Sequence, residues 1–197
     1  MLLSAGLFAP AIAGDKPFPP NSTLPKGVTL VGTRDGVPDP LGATVFLIRS
    51  LLHPLPNVTV TLDFANCPDV RLGDMTAPDT WFNCGAKTIS KLTDGTGTVT
   101  FIVVGSTDGA SRPLSECVRV FADGVAFPAL IASSYDLNAA GGVNGLDLSI
   151  AAGDVFSGQY RGRSDFDFDG DLDMIDVSQM ARAMFAGGSA TSAVTCP

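Results

Sequence analysis

The stretch of residues 165–176 gathers more potential ligand oxygens than any other part of the chain. Asp165, Asp167, Asp169, Asp171, Asp173 and Asp176 stand at its positions 1, 3, 5, 7, 9 and 12. Gly170 holds position 6 and Leu172 position 8. Oxygen donors at this spacing, with a glycine where the backbone must turn sharply, wrap around a single hard cation. Ca²⁺ suits them because it takes six to eight oxygens at flexible angles. The apolar residue at position 8 is placed to pin the loop to a neighbour. A merely acidic, solvated turn has no need of the glycine or the leucine at those places.

Twenty-nine residues earlier the pattern recurs in weaker form. Asp136, Asn138, Ala140, Gly142, Asn144 and Asp147 occupy the same six positions, with Gly141 at 6 and Val143 at 8. Ala140 supplies no side-chain oxygen at position 5, and Gly142 can contribute only its backbone carbonyl. The segments that follow match as well. Leu148, Ala151, Ala152, Val155 and Phe156 correspond to Val177, Met180, Ala181, Met184 and Phe185. That spacing predicts one apolar stripe on each of two helices, packed face to face. Glycines at 158 and 187 are placed to cap them. The simplest account is an internal duplication holding two Ca²⁺ sites, of which the second is the stronger.

No helical pattern precedes either loop. A strand-like run, 129–132, comes before the first, and the linker-like stretch 158–164 comes before the second. With Asp rather than Glu at position 12, residues 136–187 resemble a dockerin, a pair of EF-hand-type calcium loop–helix units without entering helices. The resemblance covers about a quarter of the chain. It implies Ca²⁺ as the ligand, and docking onto a cohesin-like partner through loop positions 10 and 11 and the helices after them. Those positions are Gly145, Leu146, Met174 and Ile175.

The chain has 197 residues and a net charge of −8, and residues 136–197 carry nine acids against three bases. The acidity is therefore concentrated in the candidate metal module. A polyanion would be repelled and no basic stripe exists, so the pattern argues against nucleic-acid binding. Four cysteines, Cys67, Cys84, Cys117 and Cys196, suit two disulfides in an oxidising compartment. Spacing favours Cys67–Cys84 and Cys117–Cys196. No Cys-x-x-Cys pair occurs and His53 is the only histidine, a poor basis for zinc.

Residues 28–131 read as seven short strands at 28–31, 43–49, 58–64, 88–92, 97–104, 117–122 and 125–131. Turn residues such as Asp35-Gly36, Asp94-Gly95 and Asp123-Gly124 separate them. In residues 58–64 the apolar alternation is strict, which predicts one buried face and one wet face. The pattern is that of an antiparallel sandwich, and segments such as 93–101 resemble bacterial immunoglobulin-like domains. Two readings of the loop 67–84, with Asp69, Arg71, Asp74, Asp79 and Trp81, stand open: a binding loop, or a disulfide-closed loop that covers one end of the sandwich with Trp81 tucked beneath it.

Four segments follow. Residues 1–26 are an apolar segment and a Pro-rich linker, and 27–134 an immunoglobulin-like antiparallel β-sandwich. Residues 135–190 are the duplicated dockerin-like calcium module, and 191–197 a tail. The fold class is mainly β. Two readings of residues 1–13 stand open: a signal peptide cleaved after Ala13, or an apolar strand donated to a neighbouring subunit. Asn21 and Asn57 head glycosylation sequons. No nucleophile elbow, phosphate loop or His-based metal site is present, and the only glutamate is Glu116. No run is long and apolar enough to predict a membrane span. The expectation is a secreted, non-enzymatic calcium-binding structural protein that assembles with itself into a fibre or surface layer. The alternative is an adaptor anchoring a β-sandwich to a cohesin-like scaffold or cell surface.

Overall fold

The computed structural model describes residues 15–73, 79–108, 116–185 and 196. The expectations for residues 1–13, for residues 74–78 of the 67–84 loop and for a cap at Gly187 lie outside them. Eleven strands come first: β1 (Gly27–Val31), β2 (Thr33–Arg34), β3 (Val37–Pro38), β4 (Ala43–Leu47), β5 (Thr59–Asp63), β6 (Val70–Leu72), β7 (Trp81–Asn83), β8 (Thr88–Leu92), β9 (Thr98–Thr107), β10 (Glu116–Ala122) and β11 (Val125–Ser134). Two helices follow, α1 (Gly145–Ser157) and α2 (Met174–Phe185). All seven expected strands are present, β8 with the expected bounds and the other six with shifted ends. The four others, β2, β3, β6 and β7, are only two or three residues long, too short for an alternation to register.

The molecule is mainly β. The main sheet runs β4-β9-β1-β11-β10-β5-β8-β7, with β6 pairing on β9, while β2 and β3 form a separate ribbon. The sheet is mixed rather than wholly antiparallel, because β1 lies parallel to both of its neighbours, β9 and β11. All five residues of β1 are buried. That is the environment of a strand covered on both faces, and it favours a continuous apolar run such as Val-Thr-Leu-Val. In residues 58–64 Val58, Val60, Leu62 and Phe64 are buried as expected, but the face expected to be wet is only half-exposed at Thr59 and Thr61 and is buried at Asp63, which pairs with Arg119. The four apolar residues share one core with Phe46, Ile89, Phe101 and Val118, which come from both halves of the sheet, so the sheet folds over a common interior. The Asp35-Gly36 and Asp123-Gly124 pairs both have positive φ. Two such residues make the tight turn that matches strand twist, here joining β2 to β3 and β10 to β11.

The disulfides join Cys67 to Cys117 and Cys84 to Cys196, which corrects the pairing expected from spacing. Sheet topology overrides loop length here. β10 pairs antiparallel with β5, with Arg119 opposite Asp63, so the chain leaving β5 runs past Cys117. Cys196 is brought back to the β-body, where its N–H bonds Leu72 O. Trp81, beneath the 67–84 loop on the covering reading, is instead 55% exposed on the short strand β7.

A second core joins the helices to the sheet. Tyr135, Leu137, Val143, Ala151, Phe166, Met180 and Ala183 pack with Val31 of β1, and Leu41 and Ile102 lie against them. The expected stripes are buried only in part. Ala151 and Met180 are enclosed, but Phe156 and Phe185 are each 79% exposed. The β-body, and not only the partner helix, covers these helices, and the buried face is rotated accordingly. The stretch 158–164, expected as a linker, holds a 3₁₀ turn, Gly162–Ser164, that is buried throughout.

Candidate metal centre

The two loops share a frame of hydrogen bonds. In loop 1, residues 136–147, Asp147 accepts from Leu137 N at 2.8 Å and from Asn144 N at 2.9 Å. In loop 2, residues 165–176, Asp176 accepts from Phe166 N at 2.7 Å and from Asp173 N at 3.0 Å. The position-9 side chain caps the following helix in both: Leu146 N donates to Asn144 and Ile175 N to Asp173. Such caps satisfy N–H groups that a helix start leaves without partners. Position 4 has positive φ in both loops (Ala139 and Phe168), and so does the glycine at position 6 (Gly141 and Gly170). Each helix begins at position 10. The 29-residue repeat is therefore a repeat of structure.

In loop 2 the residues alternate in role as well as in type. Asp165, Asp167 and Asp169 bring carboxylate oxygens within 4.8 Å of one another. Between them, Phe166 stacks on Tyr135 with ring centroids 5.0 Å apart. Phe168 lies against Gly27 of β1, so closely that a Cβ there would fall 2.2 Å from its ring carbons. One side of the loop is thus carboxylate and the other is bonded by packing to the β-body. Gly27 is what admits the Phe168 ring.

Asp165 is fully buried. Its Oδ2 accepts from the Tyr160 hydroxyl at 2.6 Å and from Gly170 N at 3.2 Å, while its Oδ1 has no hydrogen-bond partner. A buried polar atom without a partner is costly. A cation among the three carboxylates would meet that need, and the hard-oxygen donor set suits Ca²⁺ better than softer metals. The residues present therefore fit the ion. Burial pushes the Asp167 carboxyl above the ordinary value of 3.8, and the charges of Asp169, Asp165 and Asp173 add to it. Asp171 is raised chiefly by the charge of Asp169. Burial raises Asp176 against the lowering effect of its two N–H donors. Asp147 of loop 1 is likewise raised by burial. The Tyr160 hydroxyl is held protonated by burial and by its bond to Asp165.

Of the expected ligands, Asp165, Asp167 and Asp169 are brought together. Asp171 is exposed, and Asp173 and Asp176 are engaged with backbone N–H groups at the helix start. In loop 1, Asn138 accepts from Ala140 N at 2.7 Å.

Two residues were missed by sequence reasoning. Tyr160 carried no signal beyond its nearness to the loop. Arg163 carried none at all, because an arginine in a Gly-rich stretch reads as solvated. It is in fact fully buried, with a fork of bonds to Asp69 at 2.7 and 2.8 Å and a third to Ala132 O at 2.6 Å. Next to it, the Ser164 hydroxyl donates to Asp154 of α1 at 2.6 Å. The start of loop 2 is thereby fixed to β11, to the segment after Cys67 and to α1. No family model matches the chain, and no curated protein or solved structure matches it either.

Proposed function

We propose that the chain is a non-enzymatic, extracellular structural protein in which calcium at loop 2 locks the two-helix module to the β-body. The observation that carries this is the buried Asp165 carboxylate, with one oxygen lacking a partner, on a loop whose opposite side is packed on Gly27 and Tyr135. Asp165, Asp167 and Asp169 are the residues to hold the ion. Bound there, calcium supplies positive charge to a segment that holds six aspartates between 165 and 176. The two disulfides, and the absence of any helix long and apolar enough to span a membrane among the described residues, are compatible with a secreted chain.

On this reading, the chain assembles with its own copies into a fibre or surface layer. Exposed apolar side chains on the β-body, including Leu51, Leu52, Val37 and Trp81, offer contacts for a neighbouring copy. Asn57, exposed in a turn, and Asn21 are the places for glycans. The adaptor reading is favoured by a different observation. Leu146 and Ile175 match at position 11, and Phe156 and Phe185 match at the helix ends; all four are more than half exposed. A dockerin-type module would present this repeated apolar set to a cohesin-like partner.

Electron microscopy of the full chain with calcium and with a chelator, together with calorimetric melting, tests the proposal. Filaments in calcium and a lower Tm in chelator are expected. Asp165→Asn should weaken calcium binding by more than about 100-fold, while Asp35→Asn in the exposed β2–β3 turn leaves it unchanged. A melting temperature indifferent to the chelator would overturn the calcium brace. Dispersed monomers in both conditions would overturn self-assembly and turn the search to a cohesin-like partner.

A further inference from the structure

We infer that the chain takes a single calcium ion, because loop 1 is closed by its own Asn144 side chain in the place where loop 2 needs a cation. The inference rests on the calcium reading of loop 2. Its ground is a difference at position 9 between two loops whose position-12, position-3 and helix-cap hydrogen bonds coincide. Asn144 Oδ1 accepts from Leu146 N at 2.8 Å, which fixes the orientation of the amide. Its Nδ2 then faces the loop and donates to Gly142 O at 2.8 Å and to Ala140 O at 3.4 Å. These are the carbonyls of loop positions 7 and 5. In a calcium loop the carbonyl at position 7 is an ion ligand. In loop 1 a neutral amide donor already occupies it.

Loop 2 cannot close this way. Its position-9 residue is Asp173, which uses one carboxylate oxygen to accept from Ile175 N at 2.6 Å. The other oxygen can only accept, so it offers nothing to the carbonyls across the loop and adds to the negative charge. The rest of the composition points the same way. Loop 1 has two acids where loop 2 has six, and Ala140 brings no oxygen at position 5. With no side-chain oxygen at position 5 and the position-7 carbonyl taken by Asn144 Nδ2, loop 1 falls short of the six to eight oxygens that Ca²⁺ takes.

The duplicated halves therefore divide their work. Loop 1 and α1 fold without metal and pack on the β-body as a fixed platform. Loop 2 and α2 respond to calcium. On this inference, removing calcium loosens half of the module, not all of it.

Calorimetric titration of CaCl₂ into the chelator-stripped full chain gives the count. One equivalent is expected in the wild type and none in Asp165→Asn. The variant Ala140→Asp/Asn144→Asp removes the amide donor and adds two carboxylates to loop 1, and it should gain a second equivalent. In ¹H–¹⁵N spectra of the wild type, the Asn144 side-chain amide signals should stay in place through the titration while the Gly170 backbone amide shifts. These spectra decide the matter if the double variant does not fold. Two equivalents in the wild type, or a moving Asn144 amide, would overturn the inference. One equivalent surviving in Asp165→Asn would overturn it as well, by placing the ion in loop 1. No bound calcium in any form would instead overturn the reading of loop 2, an outcome distinct from the others.

Discussion

Asp165 is a carboxylate in an unfavourable place until something positive arrives. Tyr160 supplies part of the remedy by donating to one of its oxygens from outside the loop. That bond orients the carboxylate as an outer partner orients a metal ligand. Tyr160→Phe should therefore weaken calcium binding about 10-fold with little change in the Tm of the chelated chain. Calorimetric titration of CaCl₂ into both proteins measures this directly, because its heat does not depend on the tyrosine. The raised carboxyls give a pH dependence whose sign differs with occupancy. Asp147, Asp167, Asp171 and Asp176 all hold their protons more tightly in the folded chain than at the ordinary value of 3.8. Calcium-free, the folded state binds more protons than the unfolded one, so these groups add stability as pH falls toward 3.8 and lose it as pH rises through their raised values. Calcium-loaded, the carboxylates must be charged, and protons compete with the ion. The Tm difference between loaded and chelated protein should shrink steadily from pH 7 to 4.5. Parallel curves would show that the loop 2 aspartates do not bind the ion.

At the scale of elements, the 3₁₀ turn before loop 2 ties the module down through Arg163. Removing one partner of a buried ion pair leaves the other charged and unpaired. Arg163→Met should cost about 3–5 kcal/mol in urea unfolding, and Arg163→Lys should not restore it, since a point charge cannot make the fork. Adding Asp69→Asn to Arg163→Met should recover part of the loss. This anchor illustrates what the sequence could show. The two loops, their helices and the seven longer strands were legible because spacing repeats within each of them: every second residue in 58–64, every 29 between the loops. Asp165, Asp167 and Asp169 were legible for the same reason. The Arg163–Asp69 pair joins residues 94 apart in sequence, and nothing local marks either one. The alternating Phe166 and Phe168 were visible as residues, but their role depends on Gly27 and Tyr135, which only the fold brings near. The parallel pairing of β1 and the rotation of the helix faces depend in the same way on neighbours distant in sequence.

For the whole molecule, the disulfides interlock: the bond between Cys67 and Cys117 straddles Cys84, whose own bond reaches Cys196. The pairing expected from spacing would have closed the short 67–84 loop and a second loop running from β10 through the module. The observed pairing places the sheet from β8 onward and the entire two-helix module inside one covalent loop of sequence separation 112. For the fibre or surface-layer subunit proposed above, this sets the path of a pulling force. Tension that enters the chain before Cys67 and leaves beyond Cys196 crosses directly from Cys84 to Cys196, so the calcium-bearing part never stretches. Pulled as a single molecule, the oxidised chain should extend equally far with and without chelator, and reductant should add on the order of 370 Å of contour. The ion would then govern how the surface is shaped and held, while the sulfur bonds alone carry the pull.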